Sequence, residues 1–187
     1  MRGKADCDIL GAGPDGDLNA FDIAFIRSDV PDGFWRGRGQ AFSNAKYGFS
    51  LDVLPAISTG WEEPDAGDGV RSHSADGNAD LVAWAGFLLD ENGEIVKFAA
   101  EMRDRIKSEA GSGAKVTYQK IDAKGWAAFS SVNGETILYE RAILACKGGA
   151  IASYRLQYPK ARKAEFDPII KALNGSFMDN GGCKLKN

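Results

Sequence analysis

Gly11-Ala12-Gly13-Pro14-Asp15-Gly16, which follows Asp8-Ile9-Leu10, has the glycine spacing that brings backbone close to a pyrophosphate in dinucleotide sites. That chemistry also needs a buried strand before the glycines, a helix aimed at the phosphates after them, and an acid roughly 20 residues further on. Here Asp6 and Asp8 interrupt the strand, Asp17 stands where the helix should start, and Pro31 arrives before a second strand. The stretch therefore reads as a glycine-rich loop and no cofactor is expected. A flavin- or nucleotide-dependent enzyme is the alternative reading that would use it.

Asp65, Asp68, Asp76, Asn78 and Asp80 crowd another loop with oxygen ligands of the kind Ca²⁺ takes. Leu81 fills the place of the EF-hand glycine and Phe87 the place of its bidentate carboxylate, so a solvated turn is expected and no metal. His73 is the single histidine, which excludes His-rich zinc sites. Any Ser-His or Cys-His pair would have to use it, and it sits between Ser72 and Ser74 in an expected edge strand. Glu140-Arg141 in one strand and Arg155 in the next set a carboxylate and two guanidiniums within reach across a sheet, a pairing that commonly serves stability. Glu135 and Glu140 fall on opposite faces of a strand, so they make no acid–base pair. No catalytic residue is assigned.

With 187 residues the chain can fill one sizeable core, and 44% hydrophobic with 26% charged residues is ordinary for a globular protein. A net charge of −3, with Lys and Arg dispersed among acids, gives no attraction to a phosphate backbone, so no nucleic-acid partner is expected. Lys160, Arg162 and Lys163 read as a solvated first helical turn. No run reaches the roughly 18–20 apolar residues of a membrane span. Met1-Arg2-Gly3-Lys4 leads into Ala5-Asp6-Cys7-Asp8 rather than an apolar core, so the chain is read as periplasmic or secreted if a leader has been removed, and otherwise as cytoplasmic. Cys7, Cys146 and Cys183 form no CxxC pair and read as ordinary thiols, Cys146 as a small buried hydrophobe; a Cys7–Cys183 bridge is an open alternative but is not predicted.

These residues need a scaffold to position them. Residues 1–42 carry acids, glycines and one apolar run at 21–26, and read as an N-terminal extension. Phe49, Leu51 and Val53 alternate with Ser50 and Asp52, which predicts a strand over 47–53 that Pro55 stops. Residues 60–77 make a long loop with a short strand at 70–74, and 79–87 a second main strand. Ile95, Phe98, Ala99, Met102 and Ile106 predict a helix over 94–109, closed by Gly111 and Gly113. Strands at 115–121, 125–132, 135–146 and 150–158 follow, with Asn133-Gly134 as a hairpin signal, and make an antiparallel meander. Asp167-Pro168 predicts the N-cap and first-turn proline of a last helix whose stripe is Ile169, Ile170, Leu173 and Phe177. Trp84, Trp126, Phe129, Tyr139 and Tyr154 fall on strands and read as core. Helices segregated from an antiparallel sheet make the fold class α+β.

Three pieces of sequence together resemble a known fold family: Tyr47-Gly48-Phe49-Ser50-Leu51-Asp52-Val53-Leu54-Pro55, the meander, and the run from Tyr158-Pro159 through Asp167-Pro168-Ile169-Ile170 to Ser176-Phe177. The resemblance is to the PsbP-like fold, shared with the Ran-binding Mog protein, and more closely to uncharacterised small exported proteins of proteobacteria. It implies an α/β/α sandwich, with an antiparallel meander sheet packed between helices over residues 43–178, and a tail at 179–187. It also implies a non-enzymatic binding or accessory module of the bacterial envelope. A cytoplasmic chaperone or immunity-type protein is a further alternative on the same fold. The partner would be another protein or a small ligand. Long loops on rigid sheets carry binding groups, so Trp61, Asp65, Asp68, Arg71 and His73 are the candidate contact residues.

Overall fold

The computed structural model describes residues 40–60, 62–89, 92–93 and 95–183. Cys7, residues 11–16, residues 21–26 and Trp61, all singled out above, lie outside the described residues. In chain order come β1 (Gln40–Asn44), β2 (Phe49–Val53), β3 (Gly69–His73), β4 (Asp80–Phe87), helix α1 (Phe98–Gly111), β5 (Lys115–Asp122), β6 (Trp126–Asn133), β7 (Thr136–Ala145), β8 (Ala150–Pro159), helix α2 (Lys163–Ser176) and β9 (Met178–Asp179). One antiparallel sheet has the order β3-β4-β8-β7-β6-β5, and a smaller one the order β1-β2-β9. The class is α+β, with the expected meander as its centre. Asn133 pairs with Thr136 across a two-residue turn in which Gly134 takes φ 57°, the left-handed conformation that such hairpins require.

Alternation along the strands of the large sheet builds two cores. One face turns Leu81, Ala83, Tyr154 and Leu156 toward Phe49 and Leu51 of β2 and toward Phe166, Ile169 and Leu173 of α2. The other turns Phe129, Leu138, Ala142 and Ile151 toward Phe98, Met102 and Ile106, the i, i+4, i+8 stripe of α1. Each Leu, Ile, Met and Phe among these contributes roughly 1.5–3 kcal/mol by leaving water.

Four features depart from the sequence pattern. Helix α1 starts at Phe98, because Leu89 pairs with Ile95 and the Val96 amide donates to the Leu88 carbonyl at 2.9 Å; Ile95, 84% exposed, closes a small hairpin and stays off the helical stripe. Helix α2 starts at Lys163, which makes Pro168 its sixth residue and removes one hydrogen bond to the carbonyl four residues back. Phe166, stacked on Tyr158 at 4.5 Å between ring centroids, anchors the turn that precedes this proline. Gln40, Ala41 and Phe42, within the stretch read as an extension, belong to β1; pairing with β2 orders them, and Phe42 is buried against Phe49. Finally, Cys146 and Cys183 are not separate thiols: they form a disulfide with Cα atoms 5.2 Å apart. Strand β9, pairing with β2, returns the C-terminal residues to the turn after β7, which the 37-residue separation conceals in the sequence.

Candidate binding surface

Among the described residues, the large sheet is wider than the elements packed on it. Helix α1 lies over β5 and β6, while α2 packs on β2 and β8 on the opposite side. On the α1 side, Arg71 and His73 of β3, Asp80, Val82 and Trp84 of β4, and Arg155 and Gln157 of β8 fall outside the apolar contacts of the helix and are exposed or half-buried. Register brings them together: Arg71 is opposite Val82, Val82 opposite Arg155, and Asp80 opposite Gln157.

A buried carboxylate organises the inner border of this surface. Glu140, fully buried, accepts from Arg155 through Nε at 3.0 Å and Nη2 at 2.6 Å, and from Arg105 of α1 through Nη1 at 3.2 Å. Arg105 also donates to Ser153 Oγ at 2.9 Å and to Glu101 Oε1 at 2.7 Å. Both guanidiniums lie beside the Trp84 ring, 5.8 and 5.7 Å from its centroid. Glu140 thereby holds Arg105 and Arg155 against the tryptophan. The result is an aromatic and cationic surface at the border of α1.

Of the two arginines expected near Glu140, the structure brings Arg155 and not Arg141. Neighbouring residues of a strand point to opposite faces, so Arg141 lies on the α2 side. Arg105 of α1 takes its place. The available signal was its position three residues after Met102, at the flank of the apolar stripe. Trp84, read as core, is half-buried at the rim of the uncovered surface.

The expected contact residues divide into two groups. Arg71 and His73 share the Asp80 carboxylate, at 3.4 and 3.5 Å, on this surface. Asp65 is exposed and Asp68 half-buried in the loop before β3, which Asn44 Nδ2 ties down by donating to the Gly67 carbonyl at 3.0 Å. Asp76 is a turn residue: it accepts from the Ser74 hydroxyl and the Asn78 amide, and it pairs with Arg162 at 2.7 Å. These contacts, the Ser74 hydrogen bond first, hold its pKa down to about 2. Among the described residues, no three His, Cys, Asp or Glu side chains converge as a metal site, and no helix is long and apolar enough to cross a membrane.

No family model and no curated protein matches this chain. Among solved structures, the chain is similar to cyanobacterial PsbP (CyanoP) from Synechocystis sp. PCC 6803, with a TM-score of 0.54 and 11% identity over 80% of this chain and 97% of that one. The fold is PsbP-like. At that identity the likeness concerns architecture alone, and the PsbP-like frame accounts for the sandwich without assigning a role to any side chain on it.

Proposed function

We propose that this chain is a non-enzymatic binding or accessory module of the bacterial envelope, and that it holds a protein or small-ligand partner on the uncovered β3–β4–β8 half of its large sheet. The module comprises residues 43–178 together with the start of β1, with the preceding residues as an extension and 179–187 as a tail. The observation that carries the reading is Trp84 flanked by two guanidiniums that Glu140 holds in place, continuous with Arg71 and His73. Aromatic and arginine side chains at the centre of a rigid surface are what binding sites are enriched in. Asp65 and Asp68 would flank a bound partner from the adjacent loop, with Trp61 beside them in sequence. The Cys146–Cys183 disulfide favours an oxidising compartment over the cytoplasm.

The test compares the wild-type chain with Arg71→Glu, an exposed position whose reversal should move the melting temperature by less than about 2 °C. A partner retained from an envelope extract by the wild type and lost by the variant is the expected result. An identical set of bound species on both chains would refute the assignment to this surface.

A further inference from the structure

On the opposite side of the sheet, the half on which no described helix or sheet is centred is the other one. Tyr118 and Lys120 of β5, exposed, and Trp126 of β6 with Tyr139 and Arg141 of β7, half-buried at the border of the core that α2 and the small sheet build, form a patch around the buried Ala128. Register sets Lys120 opposite Ala128, and Ala128 opposite Arg141. The two cations thus flank a small buried residue, with backbones about 10 Å apart across two strand spacings. Lys120 Nζ lies 4.8 Å and the Arg141 guanidinium 5.0 Å from the Trp126 ring centroid, so their charges converge on one indole.

Arg141 differs from the other partly buried arginines. Arg105, Arg155 and Arg162 each meet a carboxylate, whereas among the described residues Arg141 makes no ion pair and its buried Nε has no acceptor. Its polar neighbours are engaged elsewhere: the Tyr154 hydroxyl donates to Asn174 Oδ1 at 2.7 Å, and Asn174 Nδ2 donates to the Tyr139 hydroxyl at 3.0 Å. Among the described residues, the ion pair of Lys120 is a loose contact with Asp122, at 3.9 Å. A buried donor without a partner is costly, and a guanidinium is most stabilised by a carboxylate. Stacking on Trp126 alone accounts for where the side chain lies but leaves that donor unsatisfied.

We infer that Lys120, Arg141 and Trp126 form a second binding site, which takes the carboxylates of an acidic peptide segment of a partner protein. Charge complementarity selects the ligand: two under-partnered cations stand on a chain whose net charge is −3. The spacing of the two cations selects a peptide over a small anion, because an extended chain with acids two residues apart, about 7 Å, can reach both while its backbone covers the half-buried indole and the exposed Tyr118.

The test uses the full chain, isotope-labelled, with the Arg141 Nε–Hε and Trp126 indole resonances followed as a synthetic peptide of alternating glutamate and serine is added. Saturable movement of both resonances is expected, weakening with salt. Binding should be about tenfold weaker in Arg141→Gln, and about threefold weaker in Lys120→Gln, an exposed change that leaves folding intact. Several results would overturn the inference: static resonances, an equal response to the glutamine-for-glutamate peptide, an equal response to acetate at matched carboxylate concentration, or undiminished binding by Lys120→Gln. Movement with protein concentration alone would place a second copy of the chain on the patch, and movement on adding salt without peptide would place the chain's own acidic residues there; either overturns it as well.

Discussion

Replacing Cys183 by serine removes the disulfide with little loss of packing, because Cys146 stays buried on its own side of the bridge. The bridged residues are 37 apart, and cross-linking a loop of that length lowers the entropy of the unfolded chain enough to stabilise the fold by about 3.8 kcal/mol at 25 °C. For a domain of this size a kilocalorie corresponds to roughly 2–4 °C in melting temperature, so Cys183→Ser should melt about 8–15 °C below the oxidised wild type. Thermal melting followed by circular dichroism measures this, with reduced wild type as the control that should fall by a similar amount. A thiol count in denaturant without reductant checks the pairing independently: one reactive thiol, Cys7, is expected rather than three. Three thiols, or a melting shift under about 2 °C, would refute both the bridge and the reasoning that the tail is tied to the β7–β8 turn.

Two further outcomes follow from buried polar groups. Glu140→Ala should cost about 3–5 kcal/mol in urea unfolding, since it leaves Arg105 and Arg155 with no carboxylate between them; a cost below about 1 kcal/mol would mean that water replaces it. Burial, and then the nearby Asp167 carboxylate, pushes the Tyr158 phenol up to about 12. The fold therefore favours its neutral form: that stabilisation is complete below the usual value of 10.0 and is lost as pH rises through about 12. Phenolate absorbance in the folded protein should accordingly show Tyr158 and the more deeply buried Tyr154 ionising late, and early ionisation of every tyrosine would contradict the packing.

Local pattern determined much of this protein. Alternation over Phe49, Leu51 and Val53, the Asn133-Gly134 turn and the spacing of Phe98, Met102 and Ile106 each depend on neighbours within a few residues, so strands, hairpin and helix could be read directly. The motif that stitched these pieces into a PsbP-like sandwich was likewise a matter of order along the chain. What tertiary structure decided was everything that depends on which side of the large sheet is covered. Adjacent residues Glu140 and Arg141 are equivalent as letters, yet one lies buried between two arginines beneath α1 and the other stands beside Trp126 without a carboxylate. The Cys146–Cys183 bridge belongs to the same class, since it exists only where a distant segment arrives to meet it. The physical reason is that helix and strand periods are set by local backbone geometry, whereas partners across 37 residues or across a sheet are set by how the layers pack.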